Sequence, residues 1–424
     1  MTSKIKAAFF ILFVLTVVSG LWIFPLVPQH NIVIVAALLY WTVFRTYAVF
    51  TPDCRPIPPE EPPQMMNIEM LRYLFMLGII FFHCDMQFHI NPNSFYGVEF
   101  FFTLSGFFFQ LTYRKDKTLL DFIKSKLVRF LPLMVFGSLI CCLFEKSVSI
   151  SKLLSSFLFF HAMGVADRHC YLYPSWYLAV LFWVLVFYFQ LRKSAPKSVF
   201  LLITGVLTFL AYVTWAAEKY TFDPVMQPHF LPIGVFRGVG GVGLGILTAE
   251  AYQKFKNVTI ENKLFYGIFE IFIFFYALSA MFFQKLFPDF EFLLFFTFSV
   301  LIVLFAANKG FLSNYCNSTS VFVFSKYNFA TYMVHCFFAE RLLPYLIERH
   351  AVINEYKTTA MFLTFAGSIL LGIFAYHFVE RPGSAIMEKW LGKMKRPLQP
   401  AAGKRFSPLK KRKPRKKTRR ANAK

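Results

Sequence analysis

RYLFMLGIIFFH, residues 72–83, opens on an arginine and closes on a histidine, and every residue between them is apolar, aromatic or glycine. On an α-helix the eleven steps from Arg72 to His83 turn through about 1100°, three turns plus about 20°. Both side chains therefore point the same way, about 16 Å apart along the axis. A run of this kind is a bilayer-crossing helix, because in hydrocarbon the backbone must satisfy its own hydrogen bonds.

Similar runs recur along the whole chain. Of its 424 residues 57% are hydrophobic and 58 are phenylalanine, and the mean hydropathy is +0.53. This composition excludes a soluble globular domain and predicts an all-α, polytopic transmembrane helix bundle. Helices are expected at about 7–27, 31–50, 67–86, 94–113, 131–147, 174–191, 198–217, 230–250, 263–283, 290–308, 326–347 and 357–379. That is about twelve spans, a ten-helix core plus an N-terminal two-helix hairpin. The hairpin occupies 1–50, a proline-rich cytoplasmic linker 51–66 (TPDCRPIPPEEPPQ at 51–64), the membrane core 67–382 and a basic disordered tail 383–424. The N-terminal MTSKIKAAFFILFVLTVVSGLWIF reads as a retained signal-anchor helix, since its apolar run is long and no small-residue cleavage site ends it. Segment 150–163, SKLLSSFLFFHAMG from Ser151 onward, is too short to span and is expected to lie at the outer interface or re-enter.

The charge is uneven. The net value is +23, and from Arg381 onward 17 lysines and arginines face one acid, Glu388, which accounts for +16 of it. Such a tail suits anionic lipid head groups at the cytoplasmic surface, and no specific nucleic-acid partner is expected. The short loops at 114–129, 192–197 and 252–263 are also lysine- and arginine-rich. They fall on the side of the tail, which puts both termini in the cytoplasm, Arg72 near the inner face and His83 toward the outer leaflet. Seven cysteines show neither a CxxC pair nor metal spacing, so neither a disulfide framework nor a metal is expected.

Ionisable groups inside spans are costly, so each is a functional candidate. The helix after the opening stretch carries Glu99, Thr103, Gly106 and Gln110 as one polar, small-residue stripe. Glu99 lies at about the depth of His83 on the antiparallel neighbour, and a Glu99–His83 pair is expected to fix the imidazole tautomer and raise its basicity. Arg237 is expected to meet an anionic acceptor or pair with a carboxylate. His335 and Tyr332 share an interior face with Asn328. Trp176 reads as an interfacial belt residue or as part of an acceptor entrance, the belt being the simpler reading. Ser105 reads as a packing residue beside Gly106. RGVGGVGLG (237–245) contains a formal G-x-G-x-x-G, but no strand precedes it, and Gly234, Gly238, Gly241 and Gly245 read as a helix-packing face.

The combination of Arg72, ten residues and His83, followed by GVEFFFTLSGFFF (97–109), resembles the integral-membrane acyltransferase-3 family. KLVRFLPL (126–133), SWYL (175–178), SKYNFATYMVHCFF (325–338) and FVERP (378–382) resemble further motifs in that family's order. One departure is Lys126, where many relatives have arginine. The resemblance implies an O-acyltransferase with no permanently bound cofactor, taking an acyl group, usually acetyl, from cytoplasmic acyl-CoA to a hydroxyl of a cell-surface or exported glycan. It implies CoA phosphates at Arg72, Lys126 and Arg129, a general base at His83 steadied by Glu99, and a bacterial inner or plasma membrane setting. Arg237, His335, Tyr332 and Trp176 are the candidates for acceptor contact or support. A transporter or flippase of lipid-linked saccharides is the competing class. It predicts internal repeats with broken helices in matching halves, and no such repeat is visible.

Overall fold

Helix α1, Met66–Asp85, carries the opening stretch without a break, so Arg72 and His83 sit on one rigid rod. The structure is a computed structural model that describes residues 65–88, 93–164, 170–220, 223–227, 230–282, 291–317 and 325–391. The expected N-terminal hairpin, the linker through residue 64 and the tail from residue 392 lie outside the described residues.

A 3-10 turn, Asn93–Tyr96, leads into α2, Gly97–Leu111. Helix α3, Leu119–Cys142, starts where Thr118 accepts the Asp121 amide, an N-cap that ends the basic loop. The short α4, Ile150–Phe157, exposes Ile150 and Leu154 and buries Ser155 and Ser156. The turn Tyr173–Ser175 then enters α5, Trp176–Ser194. Helices α6, Lys197–Ala217, α7, Ile233–Phe255, α8, Lys263–Phe282, and α9, Glu291–Ala307, follow, with the short α10, Phe311–Cys316. Helix α11, Asn328–Cys336, widens into a π turn, Phe337–Leu342, before α12, Leu343–Arg349. Helix α13, Lys357–Ala375, widens likewise at Tyr376–Glu380 and continues as α14, Arg381–Trp390, past the residue at which the core was expected to end.

Among the described residues seven helices are long and apolar enough to cross a membrane, and the chain is a multi-pass membrane protein. The expected helices at 94–113 and 290–308 are shorter, at 15 and 17 residues. The first loses its start to the 3-10 turn, and the one expected at 326–347 is interrupted by the π turn. The described part thus carries fewer full-length spans than the expected ten-helix core.

The glycine face on α7 decides how the bundle closes. A Cβ on Gly245 would overlap the Thr103 carbonyl, and one on Gly106 would overlap the Val242 carbonyl. Helices α2 and α7 therefore touch backbone to backbone, as small residues permit in membranes. This contact turns the polar stripe of α2 toward α7, away from α1. Gln110 donates to Glu250 at 2.6 Å, and Glu250 pairs with Lys197 at 2.7 Å.

Gly245→Val is expected to destabilise the purified protein by about 1–3 kcal/mol through overpacking, read as thermal unfolding in detergent. Gly205→Val, where a Cβ meets nothing within 4 Å, should change it by no more than about 0.5 kcal/mol.

Candidate active site

The π turn after α11 advances more residues per turn than an α-helix and brings His335 and Glu340, five apart, toward one side. That places Glu340 against α1. His83 Nδ1 lies 2.6 Å from Glu340 Oε1. The other carboxylate oxygen, Oε2, accepts from the Cys336 thiol at 3.1 Å. The His335 ring lies 5.0 Å from the His83 ring, centroid to centroid, and the Tyr173 ring lies 6.2 Å away. The His335 Nδ1–H donates to the Tyr332 carbonyl. His335 Nε2 is buried without a hydrogen-bond partner.

These contacts set tautomers. A carboxylate within ion-pair distance of His83 Nδ1 favours a proton on that nitrogen, which would leave Nε2 with its lone pair. Next along the chain, Arg341 turns away from the histidine. It pairs with Glu145 at 2.8 Å and donates to the Tyr171 carbonyl at 2.9 Å, tying the π turn to the end of α3 and to the segment before α5.

The expected Glu99–His83 pair does not form. Glu99 faces α7, where its carboxylate lies 2.8 Å from Arg237 Nε, with the two side chains 0% and 1% exposed. The Arg237 guanidinium lies over the rings of Trp176 and Trp215, 4.9 and 4.7 Å from their centroids. Arg237 thus pairs with a carboxylate, one of its two expected fates. Trp176 is buried under that cation rather than exposed in an interfacial belt. Glu99 was expected level with His83; it lies inward of it, beside Phe100, which stacks on Phe75 at 4.0 Å, and faces α7 instead of α1. His335, Tyr332 and Asn328 are all buried, as their shared face suggested.

A cavity of about 990 Å³ opens beside α1 and gathers Arg72, Lys126 and Arg129. Arg72 pairs with Glu69 at 2.7 Å and lies over Phe108. Lys126 lies over Phe122, and Arg129 over Phe329. Arg114, Lys117 and Lys326 line the same space, making six cations against the carboxylates of Glu69 and Glu380. Burial holds the Lys117 ammonium below its ordinary range, and the group also donates to Ser125 Oγ at 2.9 Å. Farther in, the walls are Met76, Ile79, Val98, Tyr177 and Tyr332. Ser105, expected to be only a packing residue, also lines the cavity, 3.3 Å from the Tyr177 hydroxyl.

The cavity reaches Ile79, one helical turn short of His83. Tyr332 also lines the cavity, with its ring 5.4 Å from that of His335. Its hydroxyl donates to the Pro174 carbonyl at 2.7 Å. Glu340 was missed by sequence reasoning, although an acid inside the apolar run at 325–347 was itself a signal.

Glu99→Ala is expected to destabilise the protein by about 3–5 kcal/mol, because it removes a buried carboxylate 2.8 Å from the buried Arg237 guanidinium. Glu99→Leu combined with Arg237→Met should recover most of that loss in thermal unfolding. A double variant as unstable as the single one would show that the pair does more than neutralise itself.

A family model described as an acyltransferase domain matches residues 66–378. No curated protein and no solved structure matches the chain.

Proposed function

Residues 66–378 make the chain a member of the acyltransferase-3 family, and from that premise we propose that it is an O-acyltransferase using cytoplasmic acyl-CoA, with acetyl as the group moved. The acceptor in this reading is a hydroxyl of a cell-surface or exported glycan. The observation that carries the reading is the joining of two features along α1. A cation-lined cavity begins at Arg72, and a carboxylate-backed histidine stands one turn beyond its inner end.

In this reading Arg72, Lys126 and Arg129 hold donor phosphates through charge-assisted hydrogen bonds. Lys117 and Lys326 extend the same field. The family membership is what favours a thioester donor over some other phosphate ester. His83 Nε2 takes the proton of the acceptor hydroxyl. The hydroxyl oxygen bonds to the thioester carbonyl carbon, the carbon–sulfur bond breaks, and the thiol leaves with the proton. Glu340 takes the role first expected of Glu99, holding Nδ1–H and stabilising the imidazolium. Tyr332 lines the cavity near His335, so in this reading it stands close to where the thioester meets the histidine. The lysines and arginines at 114–129 and 192–197, on short connections and the adjoining helix ends, support a cytoplasmic position for the cavity mouth, within a bacterial plasma membrane. The basic tail would then face anionic head groups.

The substitutions should fail in different ways. His83→Ala is expected to lower turnover about 10²- to 10⁴-fold with donor binding unchanged. Glu340→Gln, which keeps shape but not charge, should also lower turnover without raising the donor KM. Thiol release from acetyl-CoA in proteoliposomes, read beside the ester content of the exported glycan, measures both. Wild-type transfer by His83→Ala would reject the base.

Arg72→Ala should instead raise the donor KM about 10- to 100-fold, the equivalent of one lost charge-assisted contact. The effect should vanish with a short thioester that lacks phosphates. Equal CoA affinity in wild type and variant would mean that Arg72 serves only Glu69 and Phe108.

A further inference from the structure

Six cations line the cavity, a lining that suits the donor phosphates of the reading above; Glu380 is what phosphates do not explain. The other lining acid, Glu69, is already paired with Arg72 at 2.7 Å. Glu380 has no such partner. Its Oε2 is shut from solvent without a hydrogen bond, and among the described residues no cation lies within ion-pair distance of it, Arg129 acting on it only through space. A carboxylate placed among phosphate-binding cations repels the phosphates they are there to hold, unless it faces a part of the ligand that donates hydrogen bonds.

The surroundings of Glu380 narrow what that part is. Tyr376 lies four residues earlier at the start of the same π turn, and it too lines the cavity. Phe329 and Lys326, at the start of α11, line it as well, with the Arg129 guanidinium 5.9 Å from the Phe329 ring centroid. Two aromatic rings, one uncommitted acceptor and adjacent cations therefore meet on one wall. Rings present flat apolar faces to a base, a carboxylate accepts from an amino group or a sugar hydroxyl, and guanidinium and ammonium groups take phosphate. A phosphorylated nucleoside carries all three complements, and a bare phosphate or a phospholipid head group lacks the base.

We propose that the Glu380–Tyr376–Phe329 wall is the nucleoside subsite of the cavity, with Glu380 accepting hydrogen bonds from the base amino group or ribose hydroxyl of the donor's nucleotide. This rests on the acyl-CoA reading above and deepens it by assigning one end of the donor to one wall. The nucleoside lies against α11 and the π turn after α13, and the acyl arm extends along α1 past Arg72.

The test compares three ligands on the full chain in nanodiscs: CoA, adenosine bisphosphate, which has nucleoside and phosphates but no pantetheine, and phosphopantetheine, which has a phosphate but no nucleoside. Glu380→Leu, which removes the acceptor, is expected to weaken CoA and adenosine bisphosphate about tenfold or more relative to its effect on phosphopantetheine, as for a lost hydrogen bond to a charged group, and Glu380→Gln, which keeps an acceptor oxygen, should show a smaller selective loss. Tyr376→Leu, on the same wall, should show the same selectivity should the first variant fold poorly. Arg129→Ala should weaken all three. The inosine form of the bisphosphate separates the two donor groups. Loss of the Glu380 effect there assigns the base amino group, and its persistence assigns the ribose. Glu380→Leu weakening phosphopantetheine as much as CoA would overturn the proposal, since Glu380 would then act only by positioning Arg129. Unchanged CoA affinity in both Glu380→Leu and Tyr376→Leu would overturn it too. Wild-type protein that binds none of the three would overturn the donor reading and this assignment with it.

Discussion

A guanidinium and a carboxylate held out of water between two helices are tolerable only together, since either alone leaves a charge with no solvent to stabilise it. The Glu99–Arg237 pair is such a contact, 2.8 Å long and closed on both sides. It joins α2 to α7 at a crossing where glycines already let the backbones touch, and the rings of Trp176 and Trp215 cover its cation. Once Glu99 is committed there, it is unavailable to α1. His83 must find its carboxylate elsewhere, and the π turn after α11 supplies it.

The two π turns have parallel consequences. A π turn adds a residue to the helical turn and shifts the side chains that follow around the axis. After α11 this swings Glu340 to His83 while Arg341 reaches Glu145 and Tyr171. After α13 the turn spans Tyr376 and Glu380, both of which line the cavity beside Arg129. Each widened turn thus presents a carboxylate at one end of the path that Arg72 and His83 mark on α1. The family match makes the chain a member of an acyltransferase family, while the part this path plays, the donor and the acceptor belong to the proposed function.

Much of this was legible in residue order. Apolar runs alone imply helices, because lipid offers the backbone no partners. The span from Arg72 to His83 held, because α1 is unbroken and the helical period is rigid. The glycine face on α7 was legible too, since small residues at that spacing have few other uses inside a membrane. The misreadings share one cause. Depth within one helix can be counted from sequence, whereas which level of a neighbour it meets, and which way its side chains face, are set by packing. Glu99 lies beside the Phe75–Ile79 part of α1, inward of His83, since Phe100 stacks on Phe75 and Gly97 packs on Ile79, and its carboxylate faces α7. Trp176 was assigned by its position near a helix end, yet its ring lies buried under Arg237.

By itself, then, the sequence determined that the chain is a helical membrane protein, that a cation and a histidine share one side of one helix, and that basic groups collect at one end of the bundle. These follow from local rules: hydrophobicity, the helical period and the placement of charge in loops. Only the tertiary structure decided which carboxylate serves which cation or histidine. That choice depends on contacts between residues 257 positions apart, as in His83 and Glu340, or 138 apart, as in Glu99 and Arg237. It also depends on local widening of two helices, which no residue in either turn announces. Helix rotation and π turns arise from packing, and packing is a property of the assembled bundle rather than of any single stretch.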